Sequence, residues 1–595
     1  MNRKGKIIVS VVGIFIVLLA LVGITYGYFL TRIQGNTNTT SVSVTTADLK
    51  LAYKDGNGII TASNIMPNTK FLNENGEGKI FTVTNEGNAK VENYAVVLED
   101  YSVTYTDSGT LKNGTPVDAG EKTVFDRPED FKYTLSCTSY INYGTDTETV
   151  LGECNEETTQ ITLPMENSIL LTNDIEVGVT HVYELIVEYI DPDEDQSSDM
   201  NKSLSMKVNI YDIRNFNPYK EGTLADAIFS NSKIIKNNIS PKFTGMATKE
   251  EGLYPAEDDY GYSWYFRGAQ TNNYVSFAGF TWRIVRINGD GSVRLILDGT
   301  LDKVTACDDE TICTTSAFNS NKDDNAYVGY MYGLVGVTSD NVCVLETNGV
   351  KSIATDITDK TSCTGEWISG YDATHMNINN STIKDKLDSF YVKYLKSSEN
   401  YLADTMFCGD KSLADTKIGT ENTALGYGIN QTYYAATERL YFSEQTSNIG
   451  EAFPTLKCAN DEINNYSRYT VDKYLINGIE TNGDLTYPIA LLTADELVLA
   501  GAWGEGEVED VLNESYYLYN EENLATRWTT MTPYANYMSS SNLFISYIDD
   551  YSLEVGSVNT RTRGVRPVIN LNANVLVDAG NGTSGTGVYT VKLPS

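Results

Sequence analysis

Histidine is nearly missing from this sequence: two in 595 residues, His181 and His375. That excludes a multi-histidine metal centre and leaves little room for a histidine-based triad. Cations are short too, with 44 Lys and Arg against 79 Asp and Glu, a net charge of −35. Such a surface repels phosphate backbones, so nucleic acid is excluded as a partner. There is no Cys-x-x-Cys, and no histidine lies near enough to any cysteine in sequence to complete a zinc knuckle. Tryptophan is absent from the first 263 residues; all five lie between Trp264 and Trp528. What is abundant is apolar and aromatic: 41% hydrophobic residues, with 41 tyrosines. That is too apolar for a disordered chain, so the negative charge is carried on folded domains.

Residues 1–30 bear on the compartment. Arg3, Lys4 and Lys6 precede an almost uncharged apolar run from Ile7 to Leu30, long enough to span a bilayer at ~20 residues per crossing. The basic flank keeps that end in the cytoplasm and sends the downstream chain across. Thr25-Tyr26-Gly27 offers a cleavage site, so the segment is expected to be a retained membrane anchor or a signal peptide. Either places the rest of the chain outside the cell, anchored at the surface or secreted. Eight cysteines agree with an oxidising compartment. Pairing by proximity gives Cys137–Cys154, Cys307–Cys313, Cys343–Cys363 and Cys408–Cys458, although sequence alone does not determine connectivity.

At ~150 residues per domain the length suggests roughly four units, but the pattern favours two. The first domain is expected over 31–213, and from 41 to 212 helical periodicity is absent. Lys79–Thr84 and Val91–Leu98, joined by Asn85-Glu-Gly-Asn88, read as a hairpin. Val182–Ile190 and Ser203–Tyr211 read as strands flanking an acidic hairpin tip, Asp191 to Asp199. In the second, Leu204, Met206, Val208 and Ile210 alternate with polar residues, marking one buried face. This is the pattern of a β-sandwich. Residues 214–245 are expected to form a junction helix and linker, with Thr223 as N-cap. From 246 to 595 the tryptophans mark a larger α+β domain. Its strongest hairpin is Trp282 to Ile296, turning at Asn288-Gly-Asp-Gly291. Ile383, Leu387, Phe390, Tyr391, Tyr394 and Leu395 describe an amphipathic helix. A second helix is capped by Thr493, with Glu496 three residues on and Gly501 stopping it. Gly564–Leu571 and Val588–Leu593 look like closing strands.

Two resemblances add to this. Tyr28-Phe29, Thr46-Ala-Asp-Leu49-Lys-Leu51 and Phe81-Thr-Val-Thr-Asn85-Glu-Gly-Asn88 resemble the camelysin/TasA group of secreted Gram-positive proteins, over residues 7–100 and more weakly 181–211. The resemblance implies a jelly-roll-like sandwich at the cell surface, sometimes assembled into fibres. The insertion holding Cys137 and Cys154 departs from that pattern. Some members of the group are described as metallopeptidases; without a His-Glu-x-x-His here, that activity is not carried over. The second half resembles a domain of unknown function in surface proteins of gut Firmicutes, through Phe280-Thr-Trp-Arg-Ile-Val-Arg286, Leu492-Thr-Ala-Asp-Glu496, Trp528-Thr-Thr-Met-Thr-Pro533 and Gly564-Val-Arg-Pro567. It is distantly similar to C-type-lectin-like and sulfatase-modifying-factor-like folds, a fold analogy only.

No residue stands out as catalytic. Ser230-Asn-Ser-Lys233, Ser339-Asp-Asn341 and Lys360-Thr-Ser362 occur in the order of penicillin-recognising serine enzymes, but the last two lie too close together for that fold. A glycosidase needs a marked carboxylate pair, and among 79 acids none is marked. These are the open enzymatic alternatives. No cofactor is expected, a structural calcium ion excepted; its candidates are Asp191, Asp193, Asp195 and Asp199, or Asp308 and Asp309, neither set with EF-hand spacing. The Asn288–Gly291 segment is a turn, and Arg283, Arg286 and Arg294 around it are expected to pair with acids. Trp503 and Trp528 are the candidate ligand platforms, because indole faces stack on sugars and anchor interfaces. The expected protein is a non-enzymatic, membrane-anchored surface protein: a sandwich stalk presenting a lectin-like head to a glycan or a host or wall protein. The alternative is a self-associating subunit of an extracellular matrix or fibre.

Overall fold

The computed structural model describes residues 41–45, 50–55, 60–62, 69–72, 76–110, 116–154, 158–164, 168–191, 199, 202–212, 217–235, 241–248, 251–414, 425–440, 451–459, 465–504, 516–519, 527–537, 540–547 and 552–594. The apolar run Ile7–Leu30 lies outside them. Among the described residues no helix is long and apolar enough to cross a membrane. The fold is mainly β and divides into two compact units, Met1–Pro218 and Tyr219–Ser595.

The first unit is a β-sandwich. One sheet runs in the order Ser41–Thr45, Lys50–Asp55, Lys79–Asn85, Val179–Tyr189, Phe131–Ile141 and Thr149–Glu153. The other runs Ser168–Ile175, Val91–Tyr105, Lys202–Asp212 and Ile60–Ala62. Alternate residues from both sheets fill one core, among them Phe81, Tyr183, Leu185, Val96, Leu98, Met206 and Val208. Phe81 and Tyr183 stack at 4.9 Å, a geometry that contributes ~0.5–1.5 kcal/mol beyond burial.

Both expected hairpins are corrected. Lys79–Asn85 pairs with Lys50–Asp55 and Val179–Tyr189, whereas Val91–Tyr105 belongs to the opposite sheet. The turn between them is an arch across the sandwich. Buried Asn85 builds it: its Nδ2 donates to the carbonyls of Ala89 (2.8 Å) and Ile175 (3.0 Å), and its Oδ1 accepts from Gly87 N–H. The connection through Asp191 to Asp199 also changes sheets, from Val179–Tyr189 to Lys202–Asp212. Alternation reports which face of a strand is buried and not which strand bonds to its edge, so arch and hairpin look alike in sequence.

In the second unit the main sheet runs Leu253–Asp258, Gly261–Phe266, Phe280–Ile287, Tyr274–Phe277, Tyr589–Lys592 and Leu576–Ala579, with Val293–Leu297 bridging Phe280–Ile287 to Val568–Leu571. The expected hairpin is present, turned by Asn288 N–H to Ser292 O at 2.8 Å. A second sheet gathers Thr432–Tyr433, Arg527–Tyr537, Ser540–Tyr547, Ser552–Ser557 and Trp503–Gly504. The expected amphipathic helix spans Thr382–Phe390 and continues through a wider turn to Leu395, burying Ile383, Leu387, Phe390 and Leu395. The helix capped by Thr493 spans Ala494–Ala500 and stops at Gly501, whose φ of 137° suits glycine.

The helix Leu224–Asn231 is not a linker. Thr223 caps it as expected, but Leu224 N–H bonds Val575 O and Phe229 meets the Trp264 ring edge-on at 4.9 Å. It is therefore integral to the second unit, which begins at Tyr219 and not at 246. Among the described residues this unit also holds Gly370–His375 and Ala435–Leu440, helices of six residues each, too short for periodicity to reveal. All four disulfides join the cysteines paired by proximity, with Cα–Cα separations of 5.3 to 5.6 Å.

Candidate functional site

The densest chemistry lies in the second unit around the N-terminus of the helix Ala494–Ala500. Thr493 and Glu496 form a reciprocal capping box, which directs the Glu496 carboxylate inward. Its Oε1 accepts from Arg294 Nη1 at 2.7 Å and Arg286 Nε at 3.1 Å. Arg286 Nη1 reaches Asp258 at 2.6 Å, and Asp258 in turn accepts from Tyr260, Gly261 and Gly289 N–H. One carboxylate thus fastens two neighbouring turns. Arg294 also donates to Asn570 and to Met406 O.

Asp495, one residue before Glu496, accepts Arg439 through both oxygens, at 2.8 and 2.9 Å, and Thr455 N–H at 3.0 Å. Arg439 is shared with Asp410 at 2.7 Å. Arg468 binds Asp259, which also accepts from Cys458 N–H beside the Cys408–Cys458 bridge. Asp258, Asp259, Arg286, Arg294, Arg439 and Glu496 line a cavity of ≈20 Å³, room for about a water molecule and far below the usual size of a small-molecule pocket.

Electrostatics follow from the pairing. Burial alone would raise the Glu496 carboxyl, but Arg294 and Arg286 outweigh it and hold it at about 2. At neutral pH it is ionised and has no proton to give. Asp290, in the adjacent turn, is raised by burial, and its oxygens accept from Ser292 and Thr405. Two of the three arginines expected to meet acids do so. Arg283 is the correction: it lies over the Tyr274 ring at 3.8 Å and donates to Gln270 O and Asn273 Oδ1.

Neither histidine is available as a base at the surface. His181, 4% exposed, bonds Tyr94 Oη through Nδ1 at 2.7 Å, and burial lowers it to about 4. His375 is fully buried against Tyr371 and Tyr434 and held well below its ordinary value, first by burial and then by the nearby Lys411 charge. Cys137, Cys154 and His181 approach one another closely enough to suggest a metal. The two sulfurs are bonded to each other and His181 Nδ1 is taken by Tyr94, so this donor set does not fit an ion.

The residues singled out from sequence are not brought together. Trp528 is 1% exposed with Arg566 over its ring at 4.9 Å, which removes it as a sugar platform. Trp503 is half-buried in a short strand beside Ser552–Leu553. Asp191 is exposed, while Asp193 and Asp195 lie outside the described residues. Asp199 is buried and engaged by Lys202 and by Asp126 and Arg127 N–H, so its oxygens already have donors. Asp308 accepts from Tyr394 Oη and Asp309 from Thr311. Ser230, Ser339 and Ser362 donate to Asp226, Asn341 O and Asp359 respectively. The paired residues Asp258, Asp410, Arg439 and Asp495 had no local mark in sequence; the capping box and the two arginines Arg286 and Arg294 pointed at this place. No known protein family matches the chain, and no curated protein matches it.

Proposed function

We propose that this is a surface-displayed binding protein, anchored or released outside the cell, whose second unit meets a glycan or a protein ligand without chemical turnover. Four disulfides favour an oxidising, extracellular setting, in agreement with the basic and apolar amino-terminal run. The observation that carries the reading is the closed ion network around Glu496. Asp258, Glu496 and Asp495 are paired with Arg286, Arg294 and Arg439 in the interior of the second unit, where they make a rigid support, and Glu496 itself is held ionised with no proton to give. The resemblance to camelysin/TasA proteins and to surface domains of gut Firmicutes agrees with this, as do the jelly-roll-like and lectin-like forms it implies. The test is saturable binding of the whole chain to immobilised glycans, mucins and wall polymers; a blank panel overturns the reading.

A second reading is a matrix or fibre subunit. It is favoured by the edge strand Thr149–Glu153, which leaves Val150 and Leu151 more than half exposed at a sheet margin. Exposed apolar edges are where strands of other copies add. Sedimentation at rising concentration separates the two readings: assembly supports the second, and a strictly monomeric boundary removes it.

A further inference from the structure

The arginines of the second unit fall into two sets. Arg267, Arg286, Arg294, Arg439 and Arg468 each have a carboxylate within 3.1 Å. The run Thr560-Arg561-Thr562-Arg563 differs: among the described residues neither of its arginines has a carboxylate at ion-pair distance. Arg563 is 4% exposed. Its Nη1 and Nη2 meet Gly556 O and Thr560 Oγ1 at 3.4 Å each, and its buried Nε has no acceptor. Burial, and then the neighbouring Arg527 charge, lower it to about 10, so at neutral pH it is still charged. Arg527 is half exposed, its carbonyl accepts from Gly564 N–H at 2.8 Å, and its Nη2 stands 3.7 Å from Glu554. Arg561 is exposed. A half-satisfied buried guanidinium repelled by a second one is costly, and such breaches of local rules gather at functional sites.

We propose that Arg527, Arg561 and Arg563 form a subsite through which the second unit takes an acidic polysaccharide by its carboxylate or sulfate groups. This rests on the reading of that unit as a ligand-binding surface and names the class of ligand. Arg527 and Arg561 contact the oxyanion, because the planar guanidinium fork matches its geometry. Arg563, buried beside them, adds positive charge in a medium of low dielectric, where it acts more strongly than at the surface. With a net charge of −35 the molecule as a whole repels a polyanion, so the attraction is local to these arginines. A neutral sugar gains nothing from them.

Equilibrium binding of the whole, oxidised chain to polygalacturonate, heparin and dextran tests this. Saturable binding to an acidic polymer is expected, tighter than to dextran and weakening as salt rises. The carboxylated and sulfated arms distinguish the two sources of the oxyanion. Arg561→Gln, an exposed change, is expected to lower that affinity roughly tenfold, the worth of one charge-assisted bond, with thermal unfolding unmoved. Arg563→Met removes a buried charge that has no carboxylate, and is expected to weaken binding while raising the melting temperature, which loss of a purely structural arginine does not do. Binding to dextran alone, a blank on all three polymers, or an acidic-polymer affinity that Arg561→Gln leaves unchanged overturns this subsite. The broader reading then still stands or falls on mucins and wall polymers. An Arg563→Met chain that is destabilised and binds as before overturns the role given to that residue.

Discussion

Single residues carry the acid sensitivity of this molecule. His181 is neutral in the folded chain down to about pH 4, whereas an unfolded histidine binds its proton near 6.5. The folded value is depressed, so its contribution is present above pH 6.5 and is lost as pH falls toward 4. The slope is ~1.4 kcal/mol per pH unit, because one extra proton is bound by the unfolded state. Glu496 takes over at lower pH: with a folded value of about 2, its contribution is present above ~4.5 and is lost between ~4.5 and 2. Urea unfolding across pH 7 to 2 is expected to show both segments. His181→Asn, which keeps a partner for Tyr94 without titrating, flattens the first. Glu496→Gln leaves the buried Arg286 and Arg294 without their shared carboxylate and lowers stability by ~3–5 kcal/mol at pH 7. The gap between that variant and the native chain then narrows as pH falls toward 2. A constant gap contradicts the assignment.

Among the elements, the helix Ala494–Ala500 shows what is legible in a sequence and what is not. Its cap is local: Thr493 accepts from Glu496 N–H three residues on, and the Glu496 side chain answers. Removing the hydroxyl in Thr493→Ala is expected to lower stability by ~1 kcal/mol in chemical denaturation, with a loss within experimental error counting against the cap. The four disulfides were legible for the same reason, since each joins neighbours along the chain. Of the ion network only one side was legible: Arg286 and Arg294 were expected to meet acids, but which acids was not. Glu496 meets Arg286 and Arg294 from 210 and 202 residues away, and nothing near any of the three announces the others. The sandwich was half legible: the strands and their buried faces followed from alternation, but Asn85 turns an apparent hairpin into an arch through bonds to Ala89 and to Ile175, on the opposite sheet. Trp528 misled because the stacking chemistry of an indole says nothing of its burial: it lies in the strand Arg527–Tyr537, 1% exposed, with Arg566 over its ring.

On the scale of the molecule, the scarcity of histidine and of positive charge acquires a structural reading. Both histidines are interior, and seven arginines of the second unit (Arg267, Arg283, Arg286, Arg294, Arg468, Arg563 and Arg566) are buried as well. Cations are thereby withdrawn from the exterior, and acids dominate what solvent meets, which favours solubility outside a cell. The division at Pro218 predicts that lesions stay local. Replacing Cys137 and Cys154 together by alanine opens a 17-residue loop and is expected to remove ~3 kcal/mol from the first unit alone. Calorimetry should then show one transition shifted down and the other unmoved; a common shift contradicts two separate cores. The central claim is that the second unit is a rigid, disulfide-braced surface for a ligand. Its most direct measurement is titration of the oxidised whole chain over glycans, mucins and wall polymers, with the reduced chain in parallel. The account predicts saturable binding by the oxidised form that is lost on reduction. No binding by the oxidised chain to any surface contradicts it.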